Sequence, residues 1–244
     1  MIRQTLATSD HWFPRLVRSG RRAMNDLSLP APRVLTVPLR AVIVGVRSVY
    51  YFTVRVFVCE PFFKSYCTKY GRNLHTGVYL HWVQGRGELV IGDDVTVDGR
   101  CSFHFGSRGA TRPKLMIGSN TTIGHGSIFT VSKGITIGER CLIAGCVIIL
   151  DSPGHPSDPA AREAGAPVPE EELRPVVIED NVWLGYQSVI MPGVTIGRNS
   201  IVAFGSVVTS DVPPNTLAMG NPARKFPLPQ KEALPPAEAG SGSR

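Results

Sequence analysis

The sequence predicts a mainly β fold, a stack of three-sided coils made of short parallel strands, behind an N-terminal helical, amphipathic extension. Three observations predict it. Aliphatic residues recur every six positions across residues 89–225, and glycine or another small residue often follows them, as in "IGDD", "IGSN", "IGHG" and "LGYQ". Residues 34–58 are strongly apolar yet interrupted by Arg40, Arg47 and Arg55, a pattern of a different kind.

The first segment, residues 1–33, carries scattered arginines and three prolines, and is expected to be basic and poorly ordered, or ordered only on a partner. Residues 34–75 form the helical extension. Its uncharged runs fall short of the roughly 20 residues a spanning helix needs, and a central arginine opposes insertion. Arg40 and Arg47 lie seven apart and share one helical face, with Val42, Ile43, Val46, Val49 and Tyr50 largely elsewhere. Such a helix suits peripheral association with an anionic membrane surface. The alternative is a helix packed on its own domain or on a partner subunit. Residues 1–75 hold twelve Arg or Lys against three Asp or Glu, so the net charge of +7 resides in this third of the chain. The basic balance therefore concerns this segment's partner, and no nucleic-acid binding is expected.

Residues 76–226 form the coil domain. The repeat runs through Ile91, Val97 and Phe103, then Ile117, Ile123 and Phe129. It shifts by two to Ile137, Ile143 and Ile149, and after a long break continues through Ile178, Leu184, Ile190, Ile196, Val202 and Val208. A helix would repeat at three and four and a simple strand at two. A period of six fits short strands joined by tight corners, with the aliphatic side chain inside and the small residue at the turn. Residues 227–244 read as a disordered tail. The five cysteines have no metal-binding or disulfide spacing, which suits a reduced, cytoplasmic setting. No signal peptide is expected, because "MIRQTLATSDHWF" lacks a continuous apolar stretch.

Residues 154–159, "GHPSDP", and residues 176–226, from "VVIEDNVWLGYQSV" to "GNPARKF", resemble the hexapeptide-repeat acyltransferases, as does "LVIGDDVTV" more weakly. The closest pattern is that of the maltose and galactoside acetyltransferases and of the O-acetyltransferases of surface polysaccharides. The resemblance implies a left-handed parallel β-helix, a homotrimer, acetyl-CoA as cosubstrate and a sugar or glycan acceptor.

Residues 151–175 break the period and must loop out of a coil, and long loops in compact repeats are usually functional. His155 stands in this loop and matches the family's catalytic histidine. Imidazole is suited to take the proton of a sugar hydroxyl near neutrality, and a backbone N–H of the following coil is expected to meet the oxyanion. Asp151 either orients that ring or caps the corner from which the loop departs. The acidic residue that some relatives carry on the earlier coil aligns with Lys133.

The resemblance assigns the remaining candidates. Ala203, Phe204, Gly205 and Ser206 match the turn along the pantetheine arm, with Phe204 bulkier than the usual alanine. Arg224 and Lys225 match basic positions that meet the nucleotide's phosphates. The lysine common in "VVTKD" is Ser210 here. Trp183 and His125 are expected near the acceptor, with a core-packing tryptophan and an exposed corner histidine as their alternatives. His125 in "IGHG" also resembles a γ-class carbonic anhydrase zinc ligand, but Thr130 stands where that pattern needs another histidine, so no metal is expected. The expected activity is transfer of acetyl from acetyl-CoA to a sugar hydroxyl of a surface glycan or its lipid-linked precursor. The alternatives are a soluble acceptor, such as a free sugar or an antibiotic, and a catalytically silent scaffold.

Overall fold

The computed structural model describes residues 11–106 and 112–229. The expectations for residues 1–10 and 230–244 lie outside the described residues.

The N-terminal unit, residues 1–49, carries two helical stretches joined by residues 27–32. Helix α1 spans Trp12–Asp26 and α2 spans Arg33–Val54. The expectation of poor order therefore needs correction for residues 12–26. Apolar residues at positions 12, 13, 16, 17 and 24 recur at helical spacing, with arginines between them, and Pro14 falls in the first turn, where its missing N–H costs nothing. Helix α2 continues through a π-helical turn, Arg55–Cys59, into α3, Glu60–Lys64. The run Arg33–Lys64 is long and apolar enough to cross a membrane by length and composition alone.

The second unit, residues 50–244, carries a left-handed parallel β-helix of three-strand coils. The first coil is β1 (Lys69–Tyr70), β2 (His75–Thr76) and β3 (Trp82–Gln84). The second is β4 (Glu88–Ile91), β5 (Thr96–Val97) and β6 (Ser102–Phe105), and the third β7 (Lys114–Ile117), β8 (Thr122–Ile123) and β9 (Ile128–Val131). The fourth is β10 (Gly134–Ile137), β11 (Leu142–Ile143) and β12 (Ile148–Leu150). Then come β13 (Val176–Ile178), β14 (Trp183–Leu184) and β15 (Val189–Ile190), followed by β16 (Thr195–Ile196), β17 (Ile201–Val202) and β18 (Val207–Val208). Equivalent strands stack into three parallel faces, and β19 (Thr216–Gly220) extends the second face. It carries the one antiparallel pairing among the described strands, to β20 (Ala223–Pro227). The coils thus begin near residue 69 rather than 76. The first coil escapes the repeat because Tyr70 and Thr76 stand in register with Ile91 and Val97, where later coils use aliphatic residues.

Register explains the period. Ile178 pairs with Ile196, 18 positions on, which is three strands and three corners. The six aliphatic positions from Ile178 to Val208 are all buried. Ile137 pairs with Ile178, 41 positions on, so the excess is looped out as residues 151–175. The corner after each first-face strand holds a residue at positive φ, among them Asn120, Asn181 and Asn199, and Asn215 just before β19 does the same. Asparagine tolerates this left-handed backbone better than branched residues do. It also ties the coils together: Asn181 Nδ2 donates to Asn199 Oδ1 at 2.9 Å, and Asn199 Nδ2 to Asn215 Oδ1 at 3.0 Å. In the third face Phe103 and Phe129 stack with ring centroids 5.2 Å apart. Phe63 of α3 lies 5.5 Å from Phe103 and is itself buried, so α3 closes the N-terminal end of the core.

Candidate functional site

The outer surface of the third face carries a column in register, Gln84, His104, Thr130 and Leu150, one residue from each of four coils. Inner residues alternate with these, which is why Phe103 and Phe129 are buried while His104 and Thr130 reach the surface. At the end of this column the chain leaves the coil as residues 151–175. The loop is closed at its base, where the N–H of Arg174 donates to the carbonyl of Asp151 at 2.9 Å. Inside, Asp158 caps α4 (Pro159–Glu163) by accepting from Ala161 N–H at 2.7 Å. Arg162 donates to the carbonyls of Pro156 and Ser157 at 2.8 and 3.0 Å, and the Ser157 hydroxyl donates to Glu172 at 2.6 Å. A loop with this many internal bonds is held in shape, and it holds His155 between Gly154, at φ +84°, and the buried Pro156.

His155 lines a cavity of about 590 Å³ between the loop and the third face. Gln84, His104, Thr130, Ser132 and Ser152 line it as well. His104 Nδ1 and Gln84 Oε1 are 3.2 Å apart, within hydrogen-bond distance. The cavity combines imidazoles, hydroxyls and an amide with an apolar wall that includes Phe105, Pro167, Val168 and Leu173.

Asp151 takes the capping role. One carboxylate oxygen accepts the N–H of Ser132 at 2.7 Å, and the other accepts those of Lys133 and Gly134 at 2.8 and 2.6 Å. Burial pushes its carboxyl above the usual range, and the three N–H groups offset only part of that rise. The expectation that Asp151 orients the His155 ring is corrected: both oxygens are committed to the corner one coil earlier, and among the described residues no hydrogen bond joins the two. The Lys133 side chain lies 4.0 Å from Glu170 across the base of the loop.

The other expected residues lie elsewhere on the coils. His125 sits at the corner between the second and third faces, its Nδ1 3.8 Å from Asp98. Phe204 occupies an equivalent corner on a later coil and stacks on Tyr186, with centroids 5.9 Å apart and planes 8° apart. Phe204 is 69% exposed, and Gly205 beside it, at φ +63°, has open space where a Cβ would stand. Ser206 is buried and its hydroxyl accepts the N–H of Gly220 at 3.1 Å, while the Ala203 N–H donates to Ala218 at 2.9 Å. Arg224 and Lys225 lie on β20, and Lys225 Nζ donates to Ser210 Oγ at 2.9 Å. Trp183 lies half-exposed on the outer side of the second face. None of these residues lines the cavity at His155 within the single chain. Among the described residues, no three His, Cys, Asp or Glu side chains are grouped so as to hold a metal ion.

His104, Gln84 and Tyr186 carried no sequence signal by themselves. The signal lay in register: Gln84, His104 and Thr130 occupy equivalent positions of successive coils, which only the correct boundaries of the first coil reveal.

Comparison with known proteins agrees with this architecture. Residues 175–210 match the family described as "Bacterial transferase hexapeptide (six repeats)", and residues 114–150 match "Hexapeptide repeat of succinyl-transferase". Nodulation protein L of Rhizobium meliloti (strain 1021) is 36% identical over 146 residues, covering 60% of this chain and 73% of that protein. The chain belongs to the hexapeptide-repeat acyltransferase family. The galactoside O-acetyltransferase of Escherichia coli (strain K12) is 37% identical over 135 residues, 55% of this chain and 61% of that protein. The chain spans about half the length of several other curated relatives that it matches. The solved structure of AntD, an N-acyltransferase from Bacillus cereus in complex with dTDP and 3-hydroxybutyryl-CoA, is similar in fold, with a TM-score of 0.55 and 21% identity. That likeness covers 69% of this chain and 87% of the other.

Proposed function

We propose that the protein is an acetyl-CoA-dependent O-acetyltransferase that modifies a sugar hydroxyl, on a surface glycan or its lipid-linked precursor. The observation that carries the reading is the cavity at His155, whose hydroxyl, amide and imidazole lining suits a sugar. His155 acts as general base. It removes the acceptor hydroxyl proton as the oxygen bonds to the thioester carbonyl carbon. Collapse of the oxyanion then breaks the C–S bond, and the departing thiolate takes a proton from the imidazolium. No covalent enzyme intermediate is needed, since holding both substrates together supplies the proximity. His104 and Gln84 contact acceptor hydroxyls across the cavity. Phe204, Gly205, Arg224 and Lys225 hold the donor, whose thioester supplies the activated acyl group.

Because the donor residues and the His155 cavity are separate within one chain, the reading includes a homotrimer in which one subunit's cavity meets another's donor corner. It also includes peripheral membrane association through residues 34–58, at the cytoplasmic face. A soluble galactoside acceptor is the second reading, favoured by the likeness to the galactoside O-acetyltransferase.

The test is an acceptor screen with labelled acetyl-CoA and mass analysis of the product. His155→Ala is expected to bind CoA normally and to lose roughly 10²–10⁴-fold in kcat. Turnover near that of the unaltered protein would remove His155 from the mechanism.

A further inference from the structure

Helix α1 lies outside everything assigned above. With successive residues about 100° apart around the axis, Trp12, Phe13, Leu16, Val17 and Met24 fall in one sector. Arg15, Arg18, Arg21 and Arg22 fall in the opposite one. The apolar sector is exposed, with Trp12 at 73%, Leu16 at 62% and Met24 at 78%. No acidic residue occurs between Trp12 and Asn25. At 15 residues the helix is about 22 Å long, too short for a hydrocarbon core of about 30 Å, so it cannot span one.

We propose that α1 docks in the plane of an anionic lipid surface, its aromatic and aliphatic sector entering the acyl boundary and its arginines meeting the headgroups. Two observations favour lipid over a second copy of the helix. Pairing two copies through their apolar sectors would flank the seam with arginines on both sides, and this helix has no acid before Asp26 to offset them, whereas an anionic surface supplies the countercharge. Next along the chain, α2 has no buried residue in its 22 positions and repeats the arrangement, with Arg33, Arg40 and Arg47 seven apart and apolar residues over most of its remaining surface. Two successive helices with exposed apolar faces and arginine-only charge continue one kind of surface. The proposal does not rest on the catalytic reading.

The test uses the full chain with vesicles of phosphatidylcholine alone and with added phosphatidylglycerol, read by co-sedimentation at low salt. Binding is expected only to the anionic vesicles. R18E/R22E is expected to weaken it at least roughly 25-fold, from about fivefold per arginine lost, with unchanged thermal unfolding of the β-helix. L16D/M24D, which keeps every arginine, is expected to weaken it at least as much, the remaining binding resting on α2. Acetyl transfer to a soluble acceptor should survive R18E/R22E. If the unaltered chain shows no transfer at all, the vesicle result still stands by itself. Equal binding to neutral vesicles, binding unaffected by R18E/R22E, or a self-association dissolved by L16D/M24D without vesicle binding would each overturn the proposal.

Discussion

Asp151 and Gly134 are joined across neighbouring coils, the carboxylate accepting the Gly134 N–H at 2.6 Å while also holding the N–H groups of Ser132 and Lys133. The main-chain carbonyl of the same aspartate accepts from Arg174. One residue therefore fixes both the corner of the preceding coil and the base of the His155 loop. Asp151→Ala leaves three part-buried N–H groups without their carboxylate partner, at up to about 1–3 kcal/mol each where water cannot replace the oxygen. The expected outcome is a fall in Tm together with a fall in kcat, because the loop base loosens. Asp151→Asn should recover only part of either, since its NH₂ would face backbone donors. If Asp151 instead oriented the imidazole, the Asn variant would retain Tm and lose only kcat.

Arg224 and Lys225 differ in their surroundings. Lys225 is engaged by Ser210, whereas Arg224 stands on the exposed edge strand β20. Replacing both with alanine is expected to raise KM for acetyl-CoA and leave KM for the acceptor unchanged. A donor lacking the 3′-phosphate should respond less. Steady-state kinetics with both donors checks this, and equal losses for the two would separate these residues from the phosphates.

How much of this was legible in the sequence depends on where side chains point. Ile178 through Val208 announced the coils because every sixth residue must enter a narrow core, and any other residue type there would be costly. The N-terminal limit is hidden because Tyr70 and Thr76 take the register positions of Ile91 and Val97 with different chemistry. Helix α1 is hard to read in the sequence because a proline and arginines interrupt its apolar spacing. The loop and His155 stood out as a break in period. The role of Asp151 did not, since a carboxylate four residues from a histidine can face the ring or the backbone, and only the positions of Ser132 to Gly134 decide it.

His81 sets a pH dependence. Its ring lies 4.5 Å from Phe63 and 5.9 Å from Phe103 by centroids, and both ring nitrogens are buried without hydrogen-bond partners in the described structure. Burial drives its pKa down to about 4, against the raising influence of Asp98. The native state keeps the neutral ring where an unfolded chain would bind a proton. Stability is thus complete above about 6.5 and declines as pH falls from there toward 4. Taken to pH 4 the loss is about 3 kcal/mol. His81→Phe removes the titration and also two unsatisfied nitrogens. It is expected to flatten Tm between those pH values and to raise it at neutrality. An unchanged slope would mean that other groups dominate acid destabilisation.

The last prediction concerns where the β-helix can begin. Phe63 is 1% exposed and packs on His81 and Phe103, so α3 serves as the lid of the aromatic end of the core although it precedes the first strand. Phe63→Ala is expected to cost roughly 3–5 kcal/mol, the usual penalty for truncating a buried phenylalanine. A chain starting at Tyr70 would lose the whole lid and expose Phe103, and it should unfold at lower temperature or aggregate. A chain starting at Phe57 keeps Cys59, Glu60 and Phe63, and is expected to melt close to the full-length protein. It also lacks α1 and α2, so it should stay in solution with anionic vesicles that bind the intact chain. Acetyl transfer to a soluble sugar should persist in it if the helices serve only localisation. Vesicle binding by the chain starting at Phe57 would move the membrane contact onto the coil domain. A melting temperature for the Tyr70 chain equal to that of the Phe57 chain would show that the aromatic stack needs no lid.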